Sequence, residues 1–261
     1  MIFKRIIYAL LYSRGDFFLS RNFRLQKVGD VKWLKNNFGF GETCNSIDEL
    51  IIILVSKNPD KREISNYFDD VNNLREKIFV PITLGGGIRN SLDAKSCFEN
   101  GADKILINKI AQSDLSECKK ISQIFGKQAL SIMVDYKKIN QTNYTFLDAG
   151  TKKCISLSDY FEKIKKIEFG ELILNSIDKD GTAAGFDNES ISLIPKNFKN
   201  PILMMGGAGK PEHFTKVLSS KKISGAITAN LFNFLGSGLM KARDYSLKKD
   251  IELNKFEGIN I

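Results

Sequence analysis

Eight short apolar runs, separated by longer amphipathic stretches, recur along the chain: Arg5–Leu11, Glu49–Val55, Val80–Leu84, Lys104–Ile107, Ala129–Asp135, Glu171–Asn175, Pro201–Met205 and Ala226–Ala229. Runs that are mostly unbroken, rather than alternating with polar residues, suit parallel strands covered on both faces, because neither face meets water. Helical patterning fills Ser91–Glu99, Leu115–Phe125, Leu157–Phe169 and Glu212–Leu218 between them. Strand and helix in alternation predict a parallel α/β fold, and eight strands predict closure into a (β/α)8 TIM barrel. One departure from the rhythm, Ile139–Leu147 with Lys152–Ile155, predicts a hairpin inserted after the fifth strand.

An internal repeat sharpens the barrel prediction. Gly85 to Lys109 and Gly206 to Asn230 each read as strand end, glycine loop, helix, next strand and polar terminus, and they align without a gap. A duplicated half-barrel explains that shared layout. No linker or shift in composition divides the 261 residues, so a single barrel domain spanning residues 1–261 is expected.

The net charge of +9 raises the question of acidic partners. Basic residues are scattered, clustering only as pairs such as Lys119-Lys120, Lys137-Lys138 and Lys248-Lys249. Without aromatic residues interleaved in a basic stripe, nucleic acid is disfavoured, and a solvated surface with phosphorylated substrates accounts for the surplus. Cys44, Cys97, Cys118 and Cys154 lie far apart, with neither metal-ligand nor redox spacing, and read as structural thiols of a reducing cytoplasm. No metal or other cofactor is expected. The opening MIFKRIIYALLY is broken by Ser13, Arg14 and Asp16 and suits a buried first strand better than a signal peptide. With no membrane-length apolar run, a soluble cytoplasmic protein is expected.

Chemistry is expected at the strand ends. Gly85-Gly86-Gly87 follows the third strand, and Gly206-Gly207 with Gly209 follows the seventh. Glycine lets backbone N–H groups approach an anion closely, so these loops read as two opposed phosphate cradles or, more simply, as tight turns. Asn108 and Lys109, like Thr228 and Asn230, end the neighbouring strands and could complete the two sites. Asp135 closes the fifth strand, where barrel active sites are built. Asp178 and Asp180, in the turn after the sixth strand, could hold a metal, serve as acid–base groups or simply cap the turn. His213, the only histidine, reads as a surface or capping residue, and Trp33 as a packing residue.

Together these segments resemble the cyclase subunit family of imidazole glycerol phosphate synthase. The matching pieces are KRII at Lys4–Ile7, GGGI at Gly85–Ile88, GADK at Gly101–Lys104, the pair Ile107-Asn108 and the pair Val134-Asp135. GELIL at Gly170–Leu174, SIDKDGT at Ser176–Thr182 and GGAGKPEHF at Gly206–Phe214 complete the series. The resemblance implies a barrel of the ribulose-phosphate-binding type. It also implies a glutaminase subunit docked at the N-terminal face, supplying ammonia for cleavage and cyclisation of a bis-phosphorylated aminoimidazole precursor. By position it assigns Asp135 and Asp180 to catalysis. Gly86, Gly87, Asn108, Gly181, Gly206, Gly207 and Asn230 become phosphate-binding residues. Arg5, Glu49, Lys104 and Glu171 become an ammonia gate at the barrel floor. A charge ring that only seals the barrel is the plainer alternative for those four.

Departures from the family pattern are also implied. Leu11 stands where the family has a catalytic aspartate, Leu19 for a lysine of the first loop, Leu54 for a carboxylate and Lys109 for a small hydroxyl residue. Leucine exchanges no proton. The pattern resembles the divergent surface-polysaccharide branch, the acetamidino-sugar proteins, which carry Asn before Ser-Ile-Asp as Asn175 stands here. In that branch a glutaminase and a separate sugar amidotransferase are thought to deliver ammonia to a nucleotide-linked sugar. The leading expectation is therefore a barrel subunit of such a system. The alternatives are an active histidine-pathway cyclase resting on Asp135 and Asp180, and a noncatalytic scaffold binding a phosphorylated ligand and a partner. Whether the first loop, Tyr12 to Gln26, covers a ligand with Phe17, Phe18 and Phe23 or merely packs stays open.

Overall fold

The structure is a computed structural model describing residues 3–37, 46–76, 78–230 and 238–254, so Cys44 lies outside the described residues. The strands are β1 (Arg5–Ser13), β2 (Asp16–Arg21), β3 (Arg24–Gly29), β4 (Glu49–Leu54), β5 (Ile82–Gly85), β6 (Lys104–Ile107), β7 (Leu130–Ile139), β8 (Thr142–Leu147), β9 (Lys152–Ser156), β10 (Glu171–Ser176), β11 (Ile202–Met205) and β12 (Gly225–Thr228). The helices are α1 (Val31–Asn37), α2 (Lys61–Arg75), α3 (Ser91–Glu99), α4 (Lys109–Ser113), α5 (Leu115–Phe125), α6 (Leu157–Ile164), α7 (Pro211–Leu218) and α8 (Gly238–Leu247).

Eight parallel strands close on themselves in the order β1, β4, β5, β6, β7, β10, β11, β12. The ring is completed by β12 pairing with β1. This is the predicted (β/α)8 barrel. Its strands bury both faces. Ile7, Ala9, Leu11, Ile51, Ile173 and Leu203 point into the column. Ile6, Tyr8, Leu10, Leu50 and Ile52 point out against the helices. Caps fix several helix starts: Asp60 accepts from the Glu63 N–H at 2.7 Å, and Asn90 accepts from Leu92 and Asp93. Helix α6 stops at Ile164, short of the predicted Phe169, because Lys166 and Ile167 turn back in three-residue loops onto Lys163 and Ile164. Phe169 still buries, its ring 6.4 Å from that of Phe198. Cys97 and Cys118 are buried free thiols, both pushed up to about 12 by desolvation. Trp33 packs against the outer core. Among the described residues no helix is long and apolar enough to cross a membrane.

The two halves repeat, although not in the gap-free register expected. Strand β5 ends at Gly85 and β11 at Met205, so the left-handed pair Gly86-Gly87 coincides with Gly206-Gly207 rather than falling one residue out of step. The compensating residue sits beyond the helix, where α7 is one residue shorter than α3 and its link to the next strand longer. A second likeness was hidden in the sequence. The first strand of each half, β1 or β7, runs on into an antiparallel hairpin, β2–β3 or β8–β9. Leu11 faces Phe18 in one hairpin as Asp135 faces Phe146 in the other. The hairpin predicted at Ile139–Leu147 is therefore present, and the first loop is its counterpart.

Gly86 shows how tightly the loop after β5 is built. Its φ is +91°, and a β-carbon there would lie 1.9 Å from the Leu54 carbonyl oxygen. Gly15 has a similar φ of +85° with nothing within 4 Å. Gly86→Ala is expected to destabilise the protein by about 3 kcal/mol or more, and Gly15→Ala by only about 1–2 kcal/mol. Thermal unfolding followed by circular dichroism measures both. Equal losses would mean that the Leu54 carbonyl does not constrain the loop.

Candidate active site

The C-terminal ends of the strands converge on Asp135, the last inward residue of β7. It is 7% exposed. Its carboxylate accepts from Asn175 Nδ2 at 2.8 Å and from Asn108 Nδ2 at 2.7 Å. Desolvation raises its pKa to about 6, against the two amide hydrogen bonds that favour the anion, with Asp180 adding a smaller upward push. The Oδ1 atoms of Asn108 and Asn175 are buried without a hydrogen-bond partner among the described residues. The mouth thus presents one carboxyl able to exchange a proton near neutral pH, flanked by two amide oxygens with capacity to spare.

The opposite half of the mouth differs. Leu11 faces Ile53 across β1 and β4 as Asp135 faces Asn175 across β7 and β10. At the two-fold counterpart of the carboxyl and its amide there are therefore two hydrocarbons, both 6% exposed. Leu54 turns outward into the core between strands and helices. Lys109 pairs with Asp148 of the β8–β9 turn at 3.0 Å, and Asn108 spends its amide on Asp135. Neither side chain is directed at the loop after β5 by these contacts.

Asp180 has a different setting. Its Oδ2 accepts from Ser20 Oγ at 2.5 Å and from the Phe23 N–H at 2.9 Å. Desolvation pushes its pKa up, and those two donors pull it down. The Asn22 N–H adds a bond to the Asp180 carbonyl at 3.1 Å. Gly181 makes the seat possible: its φ is +65°, and a β-carbon would lie 2.3 Å from the Ser20 carbonyl oxygen. Asp180 and Gly181 therefore hold the β2–β3 turn down over the second half of the mouth. Below that turn lies a cavity of about 170 Å³, reached by Leu19, Gly181, Gly206, Gly207 and Asn230. Asn230 donates its N–H to Thr228 Oγ1 at 3.2 Å. The Gly209 N–H donates to His213 Nδ1 at 3.2 Å, so the histidine caps the loop as expected of it. Asp178 accepts from the Lys138 N–H at 2.8 Å at the surface. Of the hairpin aromatics, Phe17 packs edge-on against Tyr12 in the outer core, while Phe18 packs against the barrel interior. Phe23 approaches Gly150 in the β8–β9 turn, so the two hairpins meet.

At the other end of the barrel the four floor residues form a closed ring. Arg5 reaches Glu49 at 3.0 Å and Glu171 at 2.6 Å; Lys104 reaches the same two carboxylates at 2.7 and 2.9 Å. Thr83 and Ser131 hydroxyls donate to Glu49 Oε1 and Glu171 Oε1. Desolvation opposes ionisation of Glu171, yet Arg5 and Lys104 together hold its carboxyl below its usual range. Thr83 and Ser131 were missed in the sequence, although a lone hydroxyl residue inside an apolar strand is a usable clue. Ser20 gave no comparable clue, since its partner is distant in sequence and a hydroxyl in a polar loop is unremarked.

Comparison with known proteins accords with this geometry. The profile of the family described as Histidine biosynthesis protein matches residues 44–236, a span holding three of the floor residues and both glycine loops. A protein of Parasynechococcus marenigrum (strain WH8102), provisionally named imidazole glycerol phosphate synthase subunit hisF2, is 39% identical over 92% of this chain and 89% of its own length. The imidazole glycerol phosphate synthase subunit HisF of Clostridium botulinum (strain 657 / Type Ba4) is 31% identical over 96% of this chain and 98% of its own. That of Saccharolobus solfataricus is 31% identical over 97% and 99%.

Two outcomes follow from the charges. Because the folded pKa of Asp135 is raised, its contribution is most favourable below the unfolded value and is lost as pH rises toward about 6. Between about pH 4 and pH 7.5 this one group is expected to lower stability by roughly 2.5 kcal/mol, a slope that Asp135→Asn removes. Urea unfolding at the two pH values reads it; identical slopes in both proteins would refute the assignment. At the floor, Lys104→Met leaves Arg5 alone with two buried carboxylates and is expected to cost about 3–5 kcal/mol, read as a fall in Tm. An unchanged Tm would show that the ring is not held by its charges.

Proposed function

The chain belongs to the histidine biosynthesis protein family, and from that premise we propose that it is the barrel subunit of a glutamine-dependent amidotransferase system. It receives ammonia from a glutaminase partner at its floor and passes it toward amidation of a nucleotide-linked, surface-polysaccharide sugar, completed by a sugar amidotransferase. The single observation that carries this reading is a complete floor ring beneath a mouth in which Leu11 stands at the counterpart of Asp135. Cyclisation asks for groups that give and take protons on the ligand, and leucine does neither. Delivery of ammonia asks only for a route.

The column supports such a route. Above the ring, the interior is lined by Ile7, Ala9, Ile51, Leu106, Ile173 and Leu203, through which neutral ammonia passes without meeting an acid. Arg5 and Lys104 keep side-chain exposures of 21% and 17% at the floor, so the ring is reached from outside. A swing of either cation away from the carboxylates would open it. Phe79, 92% exposed, and Phe3, 55% exposed, precede β5 and β1 on that same face, and aromatic residues are enriched where proteins dock.

A second reading, an active cyclase of histidine biosynthesis, is favoured by Asp135. A carboxyl poised at about 6 between two amides is suited to general acid–base work by itself. One experiment separates the two. The purified protein is given the bis-phosphorylated aminoimidazole precursor and excess ammonium salt, which bypasses any missing partner. In parallel, it is mixed with a glutaminase, a sugar amidotransferase, an N-acetyl sugar nucleotide and glutamine labelled with nitrogen-15 at the amide. The expected outcome is no cyclase turnover and label in the sugar that depends on the barrel. Cyclase turnover abolished by Asp135→Asn would establish the second reading instead.

A further inference from the structure

We propose that Arg21 and Arg24 form the charged wall of an anion site completed by the Gly206-Gly207 loop, and that the group they take is a phosphate dianion of the ligand. This rests on the reading of that loop as a phosphate cradle, and adds the side chains that supply its charge.

The placement of the two arginines is unusual. They are register partners at the end of the β2–β3 hairpin, directly opposite one another across the Asn22-Phe23 turn. Both turn residues have positive φ, +49° and +63°, the tight two-residue form that sets its flanking side chains side by side. Like charges opposite each other on paired strands repel, which makes the pair a cost unless an anion lies between them. Among the described residues neither guanidinium has a carboxylate within ion-pair distance. Asp180 lines the same cavity, but its Oδ2 is engaged by Ser20 and Phe23.

Both arginines line the cavity of about 170 Å³ above Gly206 and Gly207, facing Ala229 and Asn230. The hairpin that carries them is held there by Asp180 and by its close approach to Gly181. The backbone that carries them over the cavity is thus set before any ligand arrives, while both side chains remain exposed to meet one. A planar guanidinium presents a fork of N–H donors that matches two phosphate oxygens, and two such forks match a doubly charged group. Asp180 acts here as a positioning residue for the arginines, through the turn it holds. The shared chemistry is a phosphate dianion, whether the monoester end of a sugar phosphate or the diphosphate of a sugar nucleotide.

The test is calorimetric titration of the full-length protein with inorganic phosphate and, separately, with pyrophosphate. Arg21→Gln and Arg24→Gln are each expected to weaken binding by roughly 10-fold or more, the loss of a charge-assisted contact. Lys27→Gln removes a charge from the same hairpin, where Lys27 pairs with Asp16 outside the cavity, and is expected to change nothing. Equal weakening by Lys27→Gln, or unchanged affinity in both arginine variants, overturns the proposal while leaving the cradle reading standing. Failure of the native protein to bind either anion overturns both. Pyrophosphate favoured by about 10-fold over phosphate, with both arginines required, assigns the diphosphate; comparable affinities assign the monoester.

Discussion

Closure of the sheet governs the molecule. Once Glu171–Ser176 pairs with Leu130–Ile139, and Gly225–Thr228 with Arg5–Ser13, the inward side chains enter a buried apolar column that offers a charge nothing to solvate it. Polar groups are then confined to the two ends, where they must satisfy one another. At the floor, Glu49 and Glu171 are counterparts under the half-barrel repeat, each standing on the second strand of its half. Their cations are not counterparts. Arg5 comes from the first strand, and the position corresponding to Lys104 in the second half is Gly225, where even a β-carbon would lie 2.8 Å from Leu203 Cδ2. A symmetric pair of acids is neutralised by an unsymmetric pair of bases, which is a stable arrangement because each base bridges both acids.

Most of the barrel was legible in the sequence for a simple reason: strands buried on two sides cannot hide. Residues 104–107 match their predicted bounds, and so do the helices Ser91–Glu99 and Leu115–Phe125. What escaped were features set by distant contacts. Arg24–Gly29 is exposed along most of its length and carries no apolar period, so it reads as loop although it pairs with Asp16–Arg21. The register of the repeat was misjudged because two triplets rich in glycine align by identity, whereas the chain aligns them by which residue must turn left-handed.

The site was legible in its parts and not in its connections. Asp135 stood out as a carboxylate ending an apolar strand, and the glycine loops by composition. Nothing local announces that Asn108 and Asn175, one strand to either side, would both turn toward Asp135. The reverse holds at Asp180. A carboxylate beside a glycine turn suggests chemistry, but the contacts that occupy it come from residues some 160 positions earlier. Sequence separation of that size is what a closed barrel routinely spans, since its first and last strands are neighbours.

The two hairpins carry one last implication. They rise from equivalent strands and lean together through Phe23 and Gly150, so the backbone over the mouth is nearly two-fold. Their tips are not. One bears two arginines; the other bears Asp148, already neutralised by Lys109. A symmetric frame would admit an elongated ligand either way round. This one gives the mouth a head and a tail, so whatever lies across it is read in a single direction.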